Sequence, residues 1–488
     1  MWRDFIREFA ETQPDKLAIV DRITSRPYSY RALRESIESW AAWLHHRGIG
    51  RGDRVVYLAT NSMEHILLFF ACARVGAILV SLNHRLPMLE LAGILELVEP
   101  QLFLGNIPPP LGQTFVYQSL ASVDLTLPLE AAPAHDVRLE DPMMMLFTSG
   151  STGTPKGVLF HAGMIMANIR NTIDTGVLFT DDISVVNTPF FHTGAYHVFL
   201  LPLLSIGGTL ILFDRFDPGD LLAAVERERL TIFWAVPTMF QMLLDHPAFA
   251  TTDFSRIRVL LSGGAPLSLS LIQGYHQRGV AFKQGFGLTE VGPNCFLLDT
   301  ADCWRFPESI GKPMPLSRTR VVDEAGNEVG PDQTGELWLA GPHVCLGYWR
   351  REALFREMMH DGFFATGDLV KRNREGYFFV VGRKKDMYIS GGENVYPGEV
   401  ERQLLTHPAI TQAVVVAVAD GKWGEVGYAY VVATEEVTLP ALQAFLRERL
   451  VRFKHPHYME RLPAMPLLAN GKIDRVTLKG MAAAAVGV

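Results

Sequence analysis

The stretch 145–157, MLFTSGSTGTPKG, joins an apolar strand to a loop of hydroxyl residues, glycines and one lysine. Glycines let backbone N–H groups turn toward an anion, and the hydroxyls and Lys156 add further donors and one positive charge. A Walker A loop needs Gly before its lysine and Ser or Thr after it, whereas here Pro155 precedes Lys156 and Gly157 follows it. The stretch therefore predicts a polyphosphate-binding loop of another type at the end of a strand.

Strands and helices alternate on both sides of this loop. Apolar residues share one face of a predicted helix over 30–47, which Gly48 and Gly50 end. This alternation predicts parallel sheets covered by helices. The other elements predicted in this part of the chain are a helix over 64–75 and strands over 54–58, 75–80, 208–213 and 257–261.

After about residue 335 the pattern changes to short β-rich pieces, followed by the charged stretch 382–386. We expect a domain boundary there, because charged residues suit an exposed linker. The prediction is an N-terminal domain over 1–383, a hinge over 384–386 and a C-terminal domain over 387–488. The last of these contains predicted helices over 398–405 and 439–452, strands over 412–418 and 428–433, and an alanine-rich tail over 481–488 that is expected to fray.

Composition narrows the function classes. The chain has 488 residues, a net charge of −7 and 48% hydrophobic residues, so it is long enough for at least two domains and has no basic field for nucleic acid. The most apolar stretch, 66–80, is interrupted by Arg74 and is too short to span a membrane. The cysteines form no CxxC pair, which indicates reduced thiols in a cytoplasmic protein; they are Cys72, Cys295, Cys303 and Cys345.

Further motifs follow the loop in a fixed order that runs almost to the end of the chain. Together with the loop they resemble the adenylate-forming superfamily, whose members are acyl- and aryl-CoA synthetases, nonribosomal adenylation domains and beetle luciferases. These motifs are TPFFHTG at 188–194, SGGAP at 262–266, GFGLTE at 285–290, FATGDL at 364–369, GRKKD at 382–386, GGENVYPGEVE at 391–401 and NGKIDR at 470–475.

The resemblance implies an ATP site. Phe286 stands where relatives have Tyr, so stacking on adenine is kept and a phenolic hydrogen bond is lost. Asp368 is expected at the ribose, because a carboxylate accepts hydrogen bonds from both hydroxyls. Arg383 is expected to be a second contact, to the ribose or to a phosphate. The phosphate-binding residues are expected to be Thr148, Ser149, Gly150, Ser151, Thr152, Gly153 and Lys156, and the adenine-binding residues Gly263, Gly264, Ala265, Pro266, Gly285, Phe286 and Gly287.

The resemblance also assigns the chemical steps. Thr289 and Glu290 offer hard oxygens for Mg²⁺, His192 positions the carboxylate or gates its entry, and Lys472 is the catalytic lysine. Lys385 falls at the hinge position, while Lys384 is interpreted as a solvated charge. The segment expected to border the tunnel for coenzyme A consists of Gly391, Gly392, Glu393 and Trp423.

The predicted function is that of an ATP-dependent acyl-CoA ligase. A small carboxylic acid and ATP give acyl-AMP and pyrophosphate, and coenzyme A then displaces AMP. A fatty acid is the first hypothesis, which places the enzyme in fatty acid metabolism, and an aromatic acid is the second. A carrier-protein acceptor and a homodimer stay open, whereas the loop pattern argues against a kinase-like phosphotransferase.

The resemblance implies an α/β multi-layer fold. The large N-terminal domain would hold two βα-type sheet subdomains and a small β-barrel, and the C-terminal domain would be smaller, mobile and α+β.

Overall fold

The computed structural model describes residues 2–110, 115–133, 135–148, 155–265, 267–280, 282–468 and 473–487. The chain divides into two compact units. The first comprises 1–267, 271–319 and 339–364, and the second comprises 268–270, 320–338 and 365–488. The domain boundary proposed at 384–386 stays a prediction.

The helices are α1 (Phe5–Thr12), α2 (Tyr30–His46), α3 (Met63–Val75), α4 (Met88–Val98), α5 (Ala162–Asp174), α6 (Leu201–Leu204), α7 (Pro218–Arg227), α8 (Pro237–Asp245), α9 (Leu269–His276), α10 (Thr300–Cys303), α11 (Glu352–Glu357), α12 (Pro397–Leu404), α13 (Leu439–Leu446) and α14 (Arg475–Val486).

The strands are β1 (Leu17–Asp21), β2 (Arg26–Ser29), β3 (Arg54–Leu58), β4 (Ile78–Ser81), β5 (Leu102–Gly105), β6 (Val116–Ser119), β7 (Pro142–Thr148), β8 (Lys156–His161), β9 (Ile183–Val186), β10 (Thr209–Leu212), β11 (Ile232–Ala235), β12 (Val259–Ser262), β13 (Phe282–Leu288), β14 (Gly292–Leu298), β15 (Lys312–Pro313), β16 (Arg318–Val322), β17 (Thr334–Ala340), β18 (Gly347–Tyr348), β19 (Met359–His360), β20 (Phe363–Arg372), β21 (Phe378–Arg383), β22 (Tyr388–Ser390), β23 (Glu393–Val395), β24 (Ile410–Asp420), β25 (Gly424–Ala433) and β26 (Tyr458–Arg461).

Three sheets build the first unit, in the orders β2-β1-β10-β9, β11-β12-β13-β14-β15 and β18-β8-β7-β4-β3-β5-β6. Most of their strand pairs are parallel, as in β7-β4-β3-β5-β6, and antiparallel strands such as β8 and β18 lie toward the edges. The predicted α/β class with parallel sheets is confirmed.

The helices α2 and α3 show why the sequence folds this way. Ser29 caps α2 by accepting the Ala32 N–H at 3.2 Å, and an apolar face that includes Trp40 is buried. Nearly every side chain of α3 is buried, so this helix is apolar on all sides. Gly76 then ends α3 in the left-handed region, at a φ of +78°.

Five strands after residue 317 form a separate small sheet in the order β16-β17-β20-β19, with β21 also paired to β20. The end of the chain contains a further sheet, in the order β23-β22-β25-β24, with β26 parallel to β25. Two apolar clusters lie on this sheet, one centred on residues such as Val400 and Leu442 and the other including Tyr430 and Leu478.

Two predictions about the C-terminal region were wrong. The helix expected over 439–452 ends at Leu446, and the chain goes on through turns that include a Leu450 N–H bond to the Leu446 carbonyl at 2.8 Å. The alanine-rich tail expected to fray is helical as far as Val486, because Leu478 and Ala482 are fully buried on the sheet.

None of the described helices is both long and apolar enough to cross a membrane.

Candidate active site

A hairpin carries the predicted phosphate loop. The strands β7 and β8 pair antiparallel, and Thr148 and Lys156 are Cα partners at its end. The pairing therefore brings these two predicted residues opposite each other, on either side of the loop. The other predicted phosphate-binding residues, Ser149, Gly150, Ser151, Thr152 and Gly153, lie outside the described residues.

Lys156 contacts an aromatic residue and, through it, is linked to a predicted magnesium ligand. Its ammonium lies 5.0 Å from the centroid of the Tyr348 ring, at the distance of a cation–π contact. The Tyr348 hydroxyl donates to Glu290 Oε1 at 2.9 Å. Burial, together with the Glu290 carboxylate, raises the pKa of Tyr348 well above its usual value, so its proton stays in place as a donor.

Tyr348 was missed in the sequence, although it lies at the centre of this arrangement. It is 4% exposed, and β18 holds it by pairing antiparallel with β8, where Tyr348 is the Cα partner of Val158. The Trp349 N–H also donates to the Gly157 carbonyl at 2.8 Å. The signal was the Gly-Tyr-Trp run at 347–349, which looks like an ordinary strand end without knowledge of its partner strand.

The donor set around Glu290 fits Mg²⁺ only if a nucleotide brings most of the ligands. Thr289 and Glu290 lie together on a short 3-10 turn and are partly buried. Among the described residues there is no cluster of three or more His, Cys, Asp or Glu side chains that could hold a metal. Mg²⁺ in nucleotide enzymes keeps several waters and uses one or two carboxylates plus phosphate oxygens, so Glu290 with Thr289 suits that role.

The segment around His192 is enclosed by aromatic side chains. The rings of His192 and Phe191 have centroids 4.6 Å apart. A Cβ at Gly194 would lie 2.3 Å from the ring of Trp234, so this position admits only glycine while the indole stays in place. The chain then forms a π-helical turn over Ala195–Leu200, an irregular geometry that is frequent at functional sites.

The two segments predicted to line adenine are neighbours in one sheet. Ser262 at the end of β12 is the Cα partner of Gln284 on β13, and a Cβ at Gly263 would lie 3.1 Å from the Gly285 carbonyl oxygen. Phe286 is partly buried, with its ring edge-on to that of Phe296 at 5.7 Å. Gly264, Ala265 and Gly287 belong to the same two segments, and Pro266 lies outside the described residues.

The second unit carries the predicted ribose residues. Asp368 on β20 and Arg383 on β21 are Cα partners across an antiparallel pair. The Arg383 Nε lies 2.6 Å from Asp368 Oδ1, where the Asp368 side chain is 4% exposed and the Arg383 side chain 47%. The structure thus brings the two residues together, with the carboxylate buried and the guanidinium facing solvent.

A glutamate behind this pair was also missed, and it corrects the interpretation of Lys384. Glu336 on β17 accepts from the Lys384 ammonium at 3.0 Å and from the Gly367 N–H at 3.1 Å. Lys384 is therefore in an ion pair and is not simply a solvated charge. The hinge candidate Lys385 is exposed in a 3-10 turn over Lys384–Asp386.

The predicted thiol-tunnel segment is a tight hairpin. Gly391 and Gly392 form the two-residue loop between β22 and β23, with φ values of +61° and +89°, as a type I′ turn requires. The Gly391 N–H donates to the Trp423 carbonyl at 2.8 Å, and the Trp423 ring is so near that a Cβ on Gly391 would lie 2.8 Å from it. Glu393 is exposed at the start of β23.

Lys472 lies outside the described residues, but the segments on both sides of it are held. Leu467 and Ile473 form an isolated β-bridge, and the Asp474 N–H donates to the Pro466 carbonyl at 2.8 Å. Arg475 then makes two contacts of 2.7 Å with the Glu401 carboxylate. The start of α14 is therefore fixed to α12 just after the predicted catalytic lysine.

Within the first unit, a cation and a held carboxylate suit phosphate groups and their metal ion. Within the second unit, a carboxylate–guanidinium pair suits a ligand with hydroxyl groups. The fold and the site together define a nucleotide-using α/β enzyme with an α+β C-terminal region. The comparisons with known proteins identify the family.

The family model described as AMP-binding enzyme matches residues 6–349, and the model of the AMP-binding enzyme C-terminal domain matches residues 399–472. The chain therefore belongs to the AMP-binding enzymes, in the acyl-CoA synthetase branch of the adenylate-forming superfamily. This confirms the predicted family.

Relatives of known activity are similar over almost the whole chain. A feruloyl-CoA synthase of Amycolatopsis sp. is 38% identical, with 91% of this chain and 92% of the relative covered. An indoleacetate–CoA ligase of Aromatoleum aromaticum is 34% identical, with 98% of both covered. The structure of o-succinylbenzoate CoA synthetase from Bacillus subtilis, in complex with the acyl-adenylate intermediate, has a TM-score of 0.88 and 27% identity, with 98% of both chains covered.

Family membership confirms the predicted enzyme class, an AMP-forming acid–thiol ligase. Such an enzyme uses ATP, Mg²⁺ and coenzyme A, so the predicted cofactors are confirmed at the level of the class.

Proposed function

We propose that the protein is an aryl-CoA ligase. It would couple an aromatic carboxylic acid to ATP, releasing pyrophosphate, and would then transfer the aryl group to the thiol of coenzyme A, releasing AMP. The observation that carries the proposal is the 38% identity, over 91% of the chain, to an enzyme named for feruloyl-CoA. The two other relatives described above are likewise named for acids with an aromatic ring.

The surroundings of the predicted acyl segment support an aromatic acid over the fatty acid favoured from the sequence. Phe191, His192 and Trp234 lie around the turn at Gly194, and planar rings pack well against such faces and edges. A long alkyl chain has no planar face and cannot make such stacked or edge-to-face contacts with these rings. Arg85 has its guanidinium carbon 5.9 Å from the Phe191 ring centroid, so an aromatic diacid is a second candidate substrate.

The adenylation step brings two anions together, so its barrier is mainly electrostatic. The carboxylate oxygen attacks the α-phosphorus of ATP, and the bond to the β-phosphate oxygen breaks. Lys156, with the hydroxyls and glycines of 148–153, would hold the departing pyrophosphate. Mg²⁺ would supply charge neutralisation at the phosphates, and Glu290, oriented by Tyr348, would be its protein ligand with Thr289.

Other residues would position the two reactants. Asp368 and Arg383 would hold the ribose, and Gly263, Gly285 and Phe286 would border adenine. His192 would orient the acid. Lys472 would bridge the carboxylate and the α-phosphate, so we expect the first half-reaction to depend on it.

The thioester step needs different groups, because the thiol must reach the carbonyl carbon of the aryl-adenylate. Its sulfur forms a bond to that carbon, AMP leaves, and the thiol proton passes to solvent. The hairpin at Gly391–Gly392 and the neighbouring Trp423 would border the thiol. A change of arrangement about Lys385, between the domains 1–383 and 387–488, would exchange one set of groups for the other.

The proposal is tested by supplying purified protein with ATP, Mg²⁺ and a panel of acids and measuring pyrophosphate release. The panel contains ferulic, indoleacetic and 2-succinylbenzoic acids, a medium-chain fatty acid and a short aliphatic diacid. We expect the aromatic monocarboxylic acids to give the highest kcat/KM. A higher kcat/KM for the fatty acid would refute the aryl assignment while leaving the ligase class intact.

The acceptor is tested with the best acid from that panel. Thioester formation with coenzyme A is compared with loading of a holo carrier protein, and we expect coenzyme A to be used. Lys156→Met should lower pyrophosphate release by about 10²-fold or more. The matched control is Lys16→Met, since Lys16 is a partly exposed lysine of the same unit that bonds the Thr180 carbonyl at 3.0 Å.

A further inference from the structure

Glu336 uses both of its carboxylate oxygens on residues next to the predicted ribose pair. Oε1 accepts the Gly367 N–H at 3.1 Å, and Oε2 accepts from the Lys384 ammonium at 3.0 Å. Its side chain is 11% exposed. A buried carboxylate with two such donors is well satisfied and is held in one orientation.

The two partners of Glu336 are the chain neighbours of Asp368 and Arg383. Gly367 precedes Asp368 on β20, and Lys384 follows Arg383 at the end of β21. Asp368 and Arg383 are Cα partners, and their side chains meet at 2.6 Å. One carboxylate on a third strand therefore contacts a chain neighbour of each, a backbone amide beside Asp368 and a side-chain ammonium beside Arg383.

The segment of β20 just before Asp368 is anchored to β17 a second time. The Thr366 hydroxyl donates to the Leu337 carbonyl at 2.7 Å and accepts the Asp368 N–H at 3.1 Å. Gly367 has a φ of +71°, a conformation in which its N–H points toward Glu336. Consecutive residues of β17 thus hold the segment of β20 that presents Asp368.

We infer that Glu336 is a positioning residue of the nucleotide site, which keeps Asp368 and Arg383 at the spacing that the ribose hydroxyls need. The inference rests on the proposed function only in taking these two residues as the ribose contacts. In this role Glu336 is a holder and not a ligand of either reactant. It acts through the Gly367 amide on one strand and the Lys384 ammonium on the next.

The two contacts of Glu336 should differ in how much they stabilise the position of the ribose pair. The Lys384 side chain is 54% exposed, and ion pairs of exposed lysines contribute little because water screens them. The Gly367 N–H is a backbone donor beside a buried residue, and losing its acceptor is costly. The backbone contact should therefore dominate, and a glutamine, which retains a carbonyl oxygen, should preserve most of it.

The test uses Glu336→Ala, Glu336→Gln and Lys384→Met in the full-length protein. The control, Glu328→Gln, removes the carboxylate of an exposed ion pair in the same unit, in which Arg320 Nε and Glu328 Oε1 are 3.2 Å apart. AMP affinity is measured by calorimetry, and KM for ATP and for the acid by pyrophosphate release. Thermal unfolding establishes that each variant is folded.

We expect Glu336→Ala to weaken AMP binding and raise KM for ATP by about 5- to 30-fold, as for an unsatisfied buried donor, while KM for the acid stays within about twofold. Glu336→Gln should restore affinity to within about threefold of the wild type, and Lys384→Met and Glu328→Gln should change it less than that.

A folded Glu336→Ala variant with wild-type AMP affinity would overturn the inference. So would a Glu336→Gln variant as weak as the alanine variant, because the retained carbonyl oxygen would then have no effect. A wild-type protein that fails to bind AMP would instead remove the proposed ribose site. That result is distinguishable because it appears without any substitution.

Discussion

Removing one hydroxyl from Tyr348 tests the phosphate side of the site. The Tyr348 hydroxyl donates to Glu290 at 2.9 Å, while the same ring lies 5.0 Å from the Lys156 ammonium. Tyr348→Phe removes the first contact and keeps the second, whereas Tyr348→Leu removes both. The pair of variants therefore separates the orientation of the carboxylate from the placement of the lysine.

The expected size of each effect follows from the two contacts. A hydrogen bond to a charged group contributes about 1.5–3 kcal/mol, so Tyr348→Phe should slow adenylation by roughly 10- to 100-fold, at about 1.36 kcal/mol per decade. Loss of the cation–π contact in Tyr348→Leu should add about 0.5–2 kcal/mol. If Glu290 is a ligand of Mg²⁺, the loss in Tyr348→Phe should be largest at limiting Mg²⁺ and shrink as Mg²⁺ is raised.

The assay is steady-state pyrophosphate release across a Mg²⁺ titration at saturating ATP and acid. Tyr28→Phe is the matched control, since Tyr28 lies in the same unit with the Arg26 guanidinium carbon 4.6 Å from its ring centroid. A Tyr348→Phe variant with wild-type rates at every Mg²⁺ concentration would refute the proposed orientation of Glu290. A uniform loss at all concentrations would leave Tyr348 important but remove its link to the metal.

Three further predictions concern the lysines and one buried histidine. Lys472→Ala should slow acyl-adenylate formation by at least about 10²-fold, with the exposed Lys479→Ala as control; normal formation would exclude Lys472 from the mechanism. Lys385→Pro should impair thioester formation more than adenylation, with Lys385→Ala as control, and equal losses would count against the hinge. Burial lowers the pKa of His197 to about 4, so between about pH 6.5 and pH 4 the unfolded chain binds a proton that the folded protein does not. The free energy of unfolding should therefore fall by roughly 3 kcal/mol in total as the pH is lowered through this range. Urea unfolding at pH 7 and pH 5 should therefore show a smaller acid loss for His197→Asn than for the wild type, and equal losses would contradict it.

The fold could be predicted where local patterns decide it. The helix expected over 64–75 is observed at Met63–Val75, and the strand expected over 54–58 at Arg54–Leu58, because apolar runs with clear ends fix these elements. The helix expected to reach residue 452 ends at Leu446. Helix-forming residues continue beyond that point, so local preference extended the prediction past the end that tertiary packing sets.

The site could be predicted only as far as its parts are contiguous motifs. Glu290, Asp368 and Arg383 each stand in a short pattern that resembles the family. The residues that orient them do not stand in such patterns. Tyr348 is 58 positions away from Glu290 in the sequence, and Glu336 is 48 positions away from Lys384. Such contacts depend on which strands become neighbours and in which register, and no local pattern contains that information.

The predicted nucleotide-binding residues of each unit, taken unit by unit, have one feature in common. In the first unit a carboxylate, Glu290, is held by the Tyr348 hydroxyl, and in the second Asp368 lies in register with Arg383 while Glu336 accepts the neighbouring Gly367 N–H. A carboxylate that is already oriented needs little reorganisation when a phosphate or a ribose arrives. Near-isosteric changes at the holders should therefore reduce nucleotide affinity or rate while the protein stays folded, whereas a merely structural network would show the opposite, a lower unfolding temperature with unchanged kinetics.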